Sequence, residues 1–199
     1  LGNKFHRIFF QLRKEIEKRH QREEPWFAVA QIREAQPPLF YQQPNGTFKR
    51  PIWPARASSD DSMRAYADEI RRIDHNFGRF LLFLRQSKID ENTIVVLTSS
   101  IATQLTPHPN HPMNRPNPYH LQVPLLIFAP KIEPKRVRQS VQLMDLPKTL
   151  TSMVGLKPHS AWSGDNILRL LPRGNKRPIY ASFQDTTGQW DMVQQGEWK

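Results

Sequence analysis

Three histidines stand close enough along the chain to form a metal site. His108 and His111 lie within residues 106–119, a stretch with five prolines, and His120 follows it directly. Imidazole is the commonest transition-metal ligand, so these side chains are the alternative ligands for a divalent cation such as Zn, Ca, Mg or Mn. A stretch so rich in proline must be a loop. Because histidines in such loops are more often solvated than ligating, we expect no bound metal.

Two adjacent serines, Ser99 and Ser100, follow the short apolar run of residues 94–97. A serine at a strand end could act as a nucleophile, but the Gly-x-Ser-x-Gly pattern of a nucleophile elbow does not surround these two. We therefore expect them to form hydrogen bonds at the end of a strand.

A net charge of +11 results from 29 lysines and arginines against 18 acidic residues. Such a balance favours anionic partners, either a lipid surface or another polyanion. No nucleic-acid-binding motif accompanies it. In clusters near a charged membrane, each basic residue contributes about 1 kcal/mol to binding. The basic residues that we assign to ligand binding are Arg115, Lys131, Lys135, Arg136 and Arg138, with a second group at Arg169, Arg173, Lys176 and Arg177. The alternative is that these residues are solvated loop positions.

The composition sets the class of protein. A chain of 199 residues with 38% hydrophobic residues is long enough for one domain with a core, or for part of a larger one. The absence of cysteine excludes disulfides and thiolate chemistry. Lys4, His6 and Arg7 interrupt the first apolar positions, so no signal peptide is expected there. Because the sequence begins at Leu1 and enters a helix almost at once, we expect a piece of a longer protein.

Helical spacing of apolar residues predicts two long helices in the first half. The first ends near His20, and the second extends from about Ser58 to Ser87. The buried face of the second helix is predicted to carry Tyr66, Ile70, Ile73, Phe77, Leu81 and Leu84.

Apolar runs predict the strands. Residues 26–30, 94–97 and 123–128 indicate strands buried on both faces, as in a parallel sheet. Asp145 is expected to cap a third helix that stops at Gly155, and residues 178–183 indicate a further strand.

The order of these blocks resembles the carboxyl-terminal half of sulfatases, which belong to the alkaline phosphatase superfamily together with lipoteichoic-acid synthases and phosphoethanolamine transferases. The resemblance covers about residues 25–199. The matching blocks are residues 66–84, 90–99, 123–127 and 141–150. The resemblance implies that the chain forms part of a three-layer αβα sandwich. We expect residues 1–178 to form this α/β core, with surface excursions at 36–57 and 103–121, and residues 179–199 to begin a small β subdomain.

The resemblance also implies where the site would be, and there this chain departs from the family. The central strand of the family ends in Asp-His-Gly, whose Asp and His bind the catalytic metal. Here Ser100, Ile101 and Ala102 take those places, and Gln36 is the counterpart of a substrate-contacting histidine. Arg115 or His111 could replace the Lys or His that contacts the substrate anion. The nucleophile and the first metal-binding Asp belong to an amino-terminal half that nothing in this chain matches.

Three functions follow as hypotheses. The first is a degenerate sulfatase-like domain without hydrolytic activity that acts as a binding, regulatory or scaffold module for an anionic partner, a lipid headgroup or a protein. The second is a working metal-dependent sulfuric- or phosphoric-ester hydrolase, or a phosphoethanolamine-type transferase, with relocated ligands. The third is a structural subunit of a larger assembly. The resemblance implies an extracytoplasmic or membrane-associated protein, and the amino-terminal half of the same fold as its partner.

Overall fold

The structure is a computed structural model that describes residues 4–33, 35, 41–42, 48–49, 59–100, 102, 121–170, 177–185 and 188–195. The chain divides into two compact units, Leu1–Ile132 and Glu133–Lys199. Unit 1 contains α1 (Lys4–His20), β1 (Tyr41–Gln42), β2 (Phe48–Lys49), α2 (Ser59–Gln86), a 3-10 turn (Asp90–Asn92), β3 (Val95–Thr98) and β4 (Leu125–Phe128). Unit 2 contains a 3-10 turn (Leu143–Asp145), α3 (Leu146–Met153), α4 (Ile167–Leu170), β5 (Ile179–Asp185) and β6 (Gly188–Gln194).

The two long helices build the core of unit 1, and their predicted extents are confirmed. The ring centroids of Phe9 on α1 and Phe80 on α2 lie 5.9 Å apart. Further along both helices, the Arg13 guanidinium lies 4.4 Å from the centre of the Phe83 ring. Because both pairs advance together, α1 and α2 run side by side in the same direction. The buried cluster consists of Phe9, Ile16, Phe80, Phe83, Leu84 and Ile89.

The predicted buried face of α2 is correct only in part, since Leu84 is buried and Phe77 and Leu81 are half-buried against the cluster. Of the six apolar residues expected there, only Leu84 is buried, and Ile70 is 41% exposed. The buried residues of α2 are instead Ser62, Ala65, Glu69, Asn76, Phe80, Phe83 and Leu84. These residues also recur at helical spacing, but on a face rotated away from the predicted one. Contact with α1 at Phe80 and Phe83 fixes this face, and the apolar spacing of α2 alone does not reveal it.

All three longer helices end in the same hydrogen-bonded geometry. Glu23, Lys88 and Gly155 have positive φ angles of 56°, 56° and 75°. In α3 the Gly155 amide donates to the Ser152 carbonyl at 3.2 Å and the next amide donates to Thr151 at 2.8 Å, as in a Schellman motif. Gly155 is thus confirmed as the helix stop, and glycine tolerates this conformation best.

The sheet of unit 1 corrects two predictions. β3 and β4 pair antiparallel, with Val95 opposite Phe128 and Thr98 opposite Leu125, whereas a parallel sheet was expected. Neither strand has a fully buried residue: Val95, Val96 and Leu97 of β3 are half-buried, and β4 alternates between half-buried and exposed positions. Alternation of this kind is typical of an antiparallel sheet with one solvated face.

Residues 26–30 do not form the predicted strand. They are irregular, with Phe27 84% and Val29 80% exposed. A strand requires hydrogen-bonding neighbours, and within the described ranges no strand pairs with this segment. Trp26, at its start, still packs against the buried cluster of unit 1.

Unit 2 ends in a hairpin that contains the predicted strand at residues 178–183. β5 and β6 pair antiparallel in a register that extends from Ile179 opposite Gln194 to Asp185 opposite Gly188. The expected start of a β subdomain at residue 179 remains a prediction.

Candidate functional site

The carboxyl end of β3 is the position to which the sequence assigns the site. The Thr98 hydroxyl donates a hydrogen bond of 2.8 Å to the Pro124 carbonyl, which joins this end of β3 to the start of β4. Ser99 is half-buried and Ser100 is exposed. The end of β3 is therefore held in place, and the Ser100 side chain that follows is accessible to solvent.

The residues at this strand end do not fit a divalent metal ion. Ser99 and Ser100 offer neutral hydroxyl groups, and Ala102 offers no ligand atom. Divalent cations in proteins need carboxylate or imidazole ligands held in a cluster. In the part of the chain that the structure describes, no three His, Asp or Glu side chains form such a cluster.

Several predicted site residues lie outside the described residues, so their role stays a prediction. They are Gln36, Ile101, His108, His111, Arg115, His120, Arg173 and Lys176.

The other predicted ligand-binding residues belong to the basic segment, defined here as residues 131–138. Lys131, Lys135, Arg136 and Arg138 are all exposed. The backbone of this segment forms neither helix nor strand after the turn at Lys131, whose φ is 62°. No ion pair between described residues involves any of these four side chains. The segment therefore presents four cations to solvent along eight consecutive residues.

Unit 2 contains a buried charge cluster around Asp145 that the sequence does not reveal. The Asp145 side chain is fully buried, and its Oδ2 contacts Arg177 Nη2 and accepts a 2.7 Å hydrogen bond from the Gln142 amide. Its Oδ1 accepts a 2.8 Å bond from the Asp165 amide. Arg177 also donates to Asp165 Oδ2 at 2.8 Å.

The charge state of Arg177 follows from this environment. Burial by itself lowers the pKa of the Arg177 guanidinium, but hydrogen bonds and charges from Asp145 and then Asp165 raise the pKa above its ordinary value. Arg177 is thus a permanent cation within the fold. Its assignment to an anion-binding group with Arg169 is wrong, because its guanidinium already binds two carboxylates.

Neighbouring residues fix the position of Asp145. Gln142 accepts a 3.1 Å hydrogen bond from the Tyr180 amide, which connects the cluster to β5. A Cβ atom on Gly164 would overlap the carbonyl group of Met144 and lie 2.8 Å from the Asp145 Cα atom. Asp145 stands before α3 as predicted, but its side chain makes no cap hydrogen bond to that helix. The cluster positions α3 and α4, and its internal pairing argues against a ligand site.

Comparisons with known proteins support the family that the order of the elements indicates. The family model described as Sulfatase matches residues 4–156. An endo-4-O-sulfatase of Bacteroides thetaiotaomicron is 26% identical over 145 residues, which cover 71% of this chain and 27% of that protein. The N-acetylgalactosamine-6-sulfatase of Canis lupus familiaris is 28% identical over 196 residues, covering 81% of this chain and 37% of that protein. The chain thus spans well under half the length of these curated relatives.

A solved structure supports the same fold. The crystal structure of Ps i-CgsB superposes with a TM-score of 0.71 and 18% identity, and covers 96% of this chain and 44% of that one. The expected fold class, a partial α/β domain of the sulfatase and alkaline phosphatase type, is confirmed. With the family model matching 153 of 199 positions, from 4 to 156, this chain belongs to the sulfatase family.

Proposed function

We propose that this chain is part of a sulfatase-like domain that no longer hydrolyses esters and that binds an anionic lipid headgroup from an extracytoplasmic position. The single observation that carries the first half of this proposal is the end of β3. Where the family has Asp-His-Gly, this chain has Ser100, Ile101 and Ala102. A hydroxyl and two alkyl side chains cannot replace a carboxylate and an imidazole as metal ligands.

The basic segment supports an anionic lipid as the partner. Its four cations are exposed, and Ile132 and Val137, each 39% exposed, stand among them. Basic and apolar side chains together suit the interface of a membrane, where the cations meet headgroups and the apolar groups meet acyl chains. Among the helices of the described residues, none has the length and apolar character needed to cross a bilayer.

The segment at residues 26–30 supports the amino-terminal half of the same fold as a second partner. Phe27 and Val29 expose more than three quarters of their surface. An apolar run of this kind is typical of a strand buried inside a sheet. We infer that strands of the amino-terminal half cover it.

The first test is the metal content of the longest natural form of the protein, purified without chelators. We expect no tightly bound Zn, Ca, Mg or Mn, and no hydrolysis of 4-nitrophenyl sulfate or phosphate. The matched variant combines Ser100→Asp, Ile101→His and Ala102→Gly, which restores the ligand types of the family. We expect this variant to bind a divalent ion that the natural protein does not bind.

Stoichiometric metal in the natural protein would contradict the proposal that this domain no longer hydrolyses esters. If that metal were lost on replacing His108, His111 and His120 by alanine, the chain would be a working hydrolase or transferase with relocated ligands.

The second test is binding to vesicles. Replacing Lys135, Arg136 and Arg138 by glutamine should weaken binding to vesicles rich in phosphatidylserine by about a hundredfold, since each basic residue contributes about 1 kcal/mol. The control replaces Lys14, Lys18 and Arg85, three exposed basic residues elsewhere, by glutamine. Equal weakening in both variants would contradict the role of the basic segment, as would binding that does not depend on the anionic lipid.

A further inference from the structure

A groove between α1 and α2 in unit 1 is lined by three arginines that the proposed function does not use. Arg7 and Arg13 line it from α1, and Arg79 lines it from α2. Its volume is about 240 Å³. The remaining lining residues are Phe9, Phe10, Asn76 and Phe80. The groove thus combines cations and aromatic rings from both helices.

Among the described residues, no carboxylate lines the groove. Arg7, Arg13 and Arg79 take part in none of the ion pairs between described residues. Other arginines of unit 1 do pair, as Arg71 does with Asp68 at 2.8 Å. Glu17, one turn beyond Arg13, is exposed and is not among the lining residues. Three cations without counter-charges around one groove repel each other, and a bound anion would relieve that repulsion.

Packing around the groove fixes the position of one of the three arginines. The Arg13 guanidinium lies 4.4 Å from the centre of the Phe83 ring, so this cation has a defined position. Phe9 and Phe80 are buried and form a rigid floor. Asn76 is also buried, and its amide donates to the Arg72 carbonyl at 2.7 Å. Only Arg7 and Arg79 are free to adjust, because both are exposed.

The volume of the groove restricts the size of its ligand, and its aromatic lining restricts the ligand's chemistry. A volume of about 240 Å³ lies below the roughly 300–1,000 Å³ of pockets for drug-sized molecules. Phe10 is 66% exposed beside the arginines and offers an aromatic face. Guanidinium groups bind the oxygens of sulfate and phosphate through paired N–H donors. An aromatic face beside them suits the carbon-bound face of one sugar ring.

We propose that the α1–α2 groove binds a single monoester oxyanion, a sulfate or phosphate group carried on one sugar ring, with Arg7, Arg13 and Arg79 as its cationic ligands. In sequence, the residues of this site are separate from the carboxyl end of β3 and from the basic segment. It does not depend on whether the protein hydrolyses esters or binds lipid.

The test measures binding of glucose 6-sulfate and glucose 6-phosphate to the natural protein by calorimetry or by NMR titration, with glucose as the neutral probe. We expect both esters to bind, with glucose at least tenfold weaker. The variant that combines Arg7→Gln and Arg79→Gln should weaken both esters about tenfold or more. The matched control combines Arg64→Gln and Arg85→Gln, two exposed arginines of α2 that do not line the groove, and should bind like the natural protein.

The outcomes separate this proposal from the proposed function. Ester binding that survives in the groove variant but disappears in the variant of Lys135, Arg136 and Arg138 would overturn the groove and leave the basic segment intact. A natural protein that binds both esters but does not bind vesicles rich in phosphatidylserine would overturn the lipid partner alone. If inorganic sulfate competes for the groove as well as either ester does, the groove recognises only the oxyanion. That result would overturn the role of the sugar ring.

Discussion

The two units are built on different interactions. Unit 1 packs six buried apolar residues of α1, α2 and the following turn against each other, among them three phenylalanines. Unit 2, in its described residues, buries one large apolar side chain, Ile167, while Asp145 and Thr149 have no exposed surface at all. The Thr149 hydroxyl donates to the Asp145 carbonyl at 2.7 Å and accepts from the Ile167 amide at 2.9 Å.

This difference shows how a small unit can hold its helices without a large apolar core. A domain of this size buries too little apolar surface for a wide margin of stability. In unit 2, hydrogen bonds to one buried carboxylate connect the turn before α3, the segment before α4 and Arg177, just before β5. A buried ion pair adds little over a well-packed apolar core, but its loss is costly. We therefore expect unit 2 to be the more sensitive to single substitutions.

The largest expected effect is that of Asp145→Ala. It leaves the half-buried Arg177 guanidinium without its main counter-ion. Removal of one partner of a fully buried pair costs about 3–5 kcal/mol, so we expect a loss towards the lower end of that range. Hydrogen exchange of the Asp165 and Ile167 amides should accelerate, while the amides of α1 and α2 keep their protection.

The control for this prediction is Asp165→Ala. The Asp165 carboxylate also binds Arg177, but its side chain is 55% exposed, so its loss should cost no more than about 1 kcal/mol. Equal effects of the two substitutions would contradict the assignment of Asp145 as the centre of unit 2.

A smaller effect, of opposite sign in the two units, is expected for glycine-to-alanine substitutions. Gly164→Ala should destabilise unit 2 by about 1–3 kcal/mol, because the new Cβ overlaps the Met144 backbone. Gly78→Ala should stabilise α2 by roughly 0.5–1 kcal/mol, because the residue is inside a helix and, apart from the local helix backbone, no atom of the described residues lies within 4 Å of its Cβ position. Urea unfolding of both variants measures these changes in the free energy of unfolding. Destabilisation by Gly78→Ala would show that another surface covers α2 at that point.

The helices were predictable because their apolar spacing and their ends are local features. The buried face of α2 was predictable only in part, since its packing partner α1 is some 60 residues earlier in the chain and decides which side is covered. The run at residues 26–30 has the composition of a buried strand, and without hydrogen-bonding neighbours among the described residues it stays irregular.

The candidate site was predictable only where it could be located by resemblance. Ser100 and Ala102 follow β3 as expected, because a strand end is defined by the sequence on both sides of it. The pair of Asp145 and Arg177 joins residues 32 positions apart, and no spacing rule connects them. The α1–α2 groove combines arginines from two helices, so it becomes visible only once their relative direction is known.

The bond between Thr98 and Pro124 closes a loop, since the two residues are 26 positions apart. The conformational entropy lost on closing a flexible loop grows only with the logarithm of its length, and doubling the length costs about 0.6 kcal/mol. That is less than the contribution of one buried side chain. The stability of the β3–β4 pair therefore imposes little limit on the number of residues between the two strands.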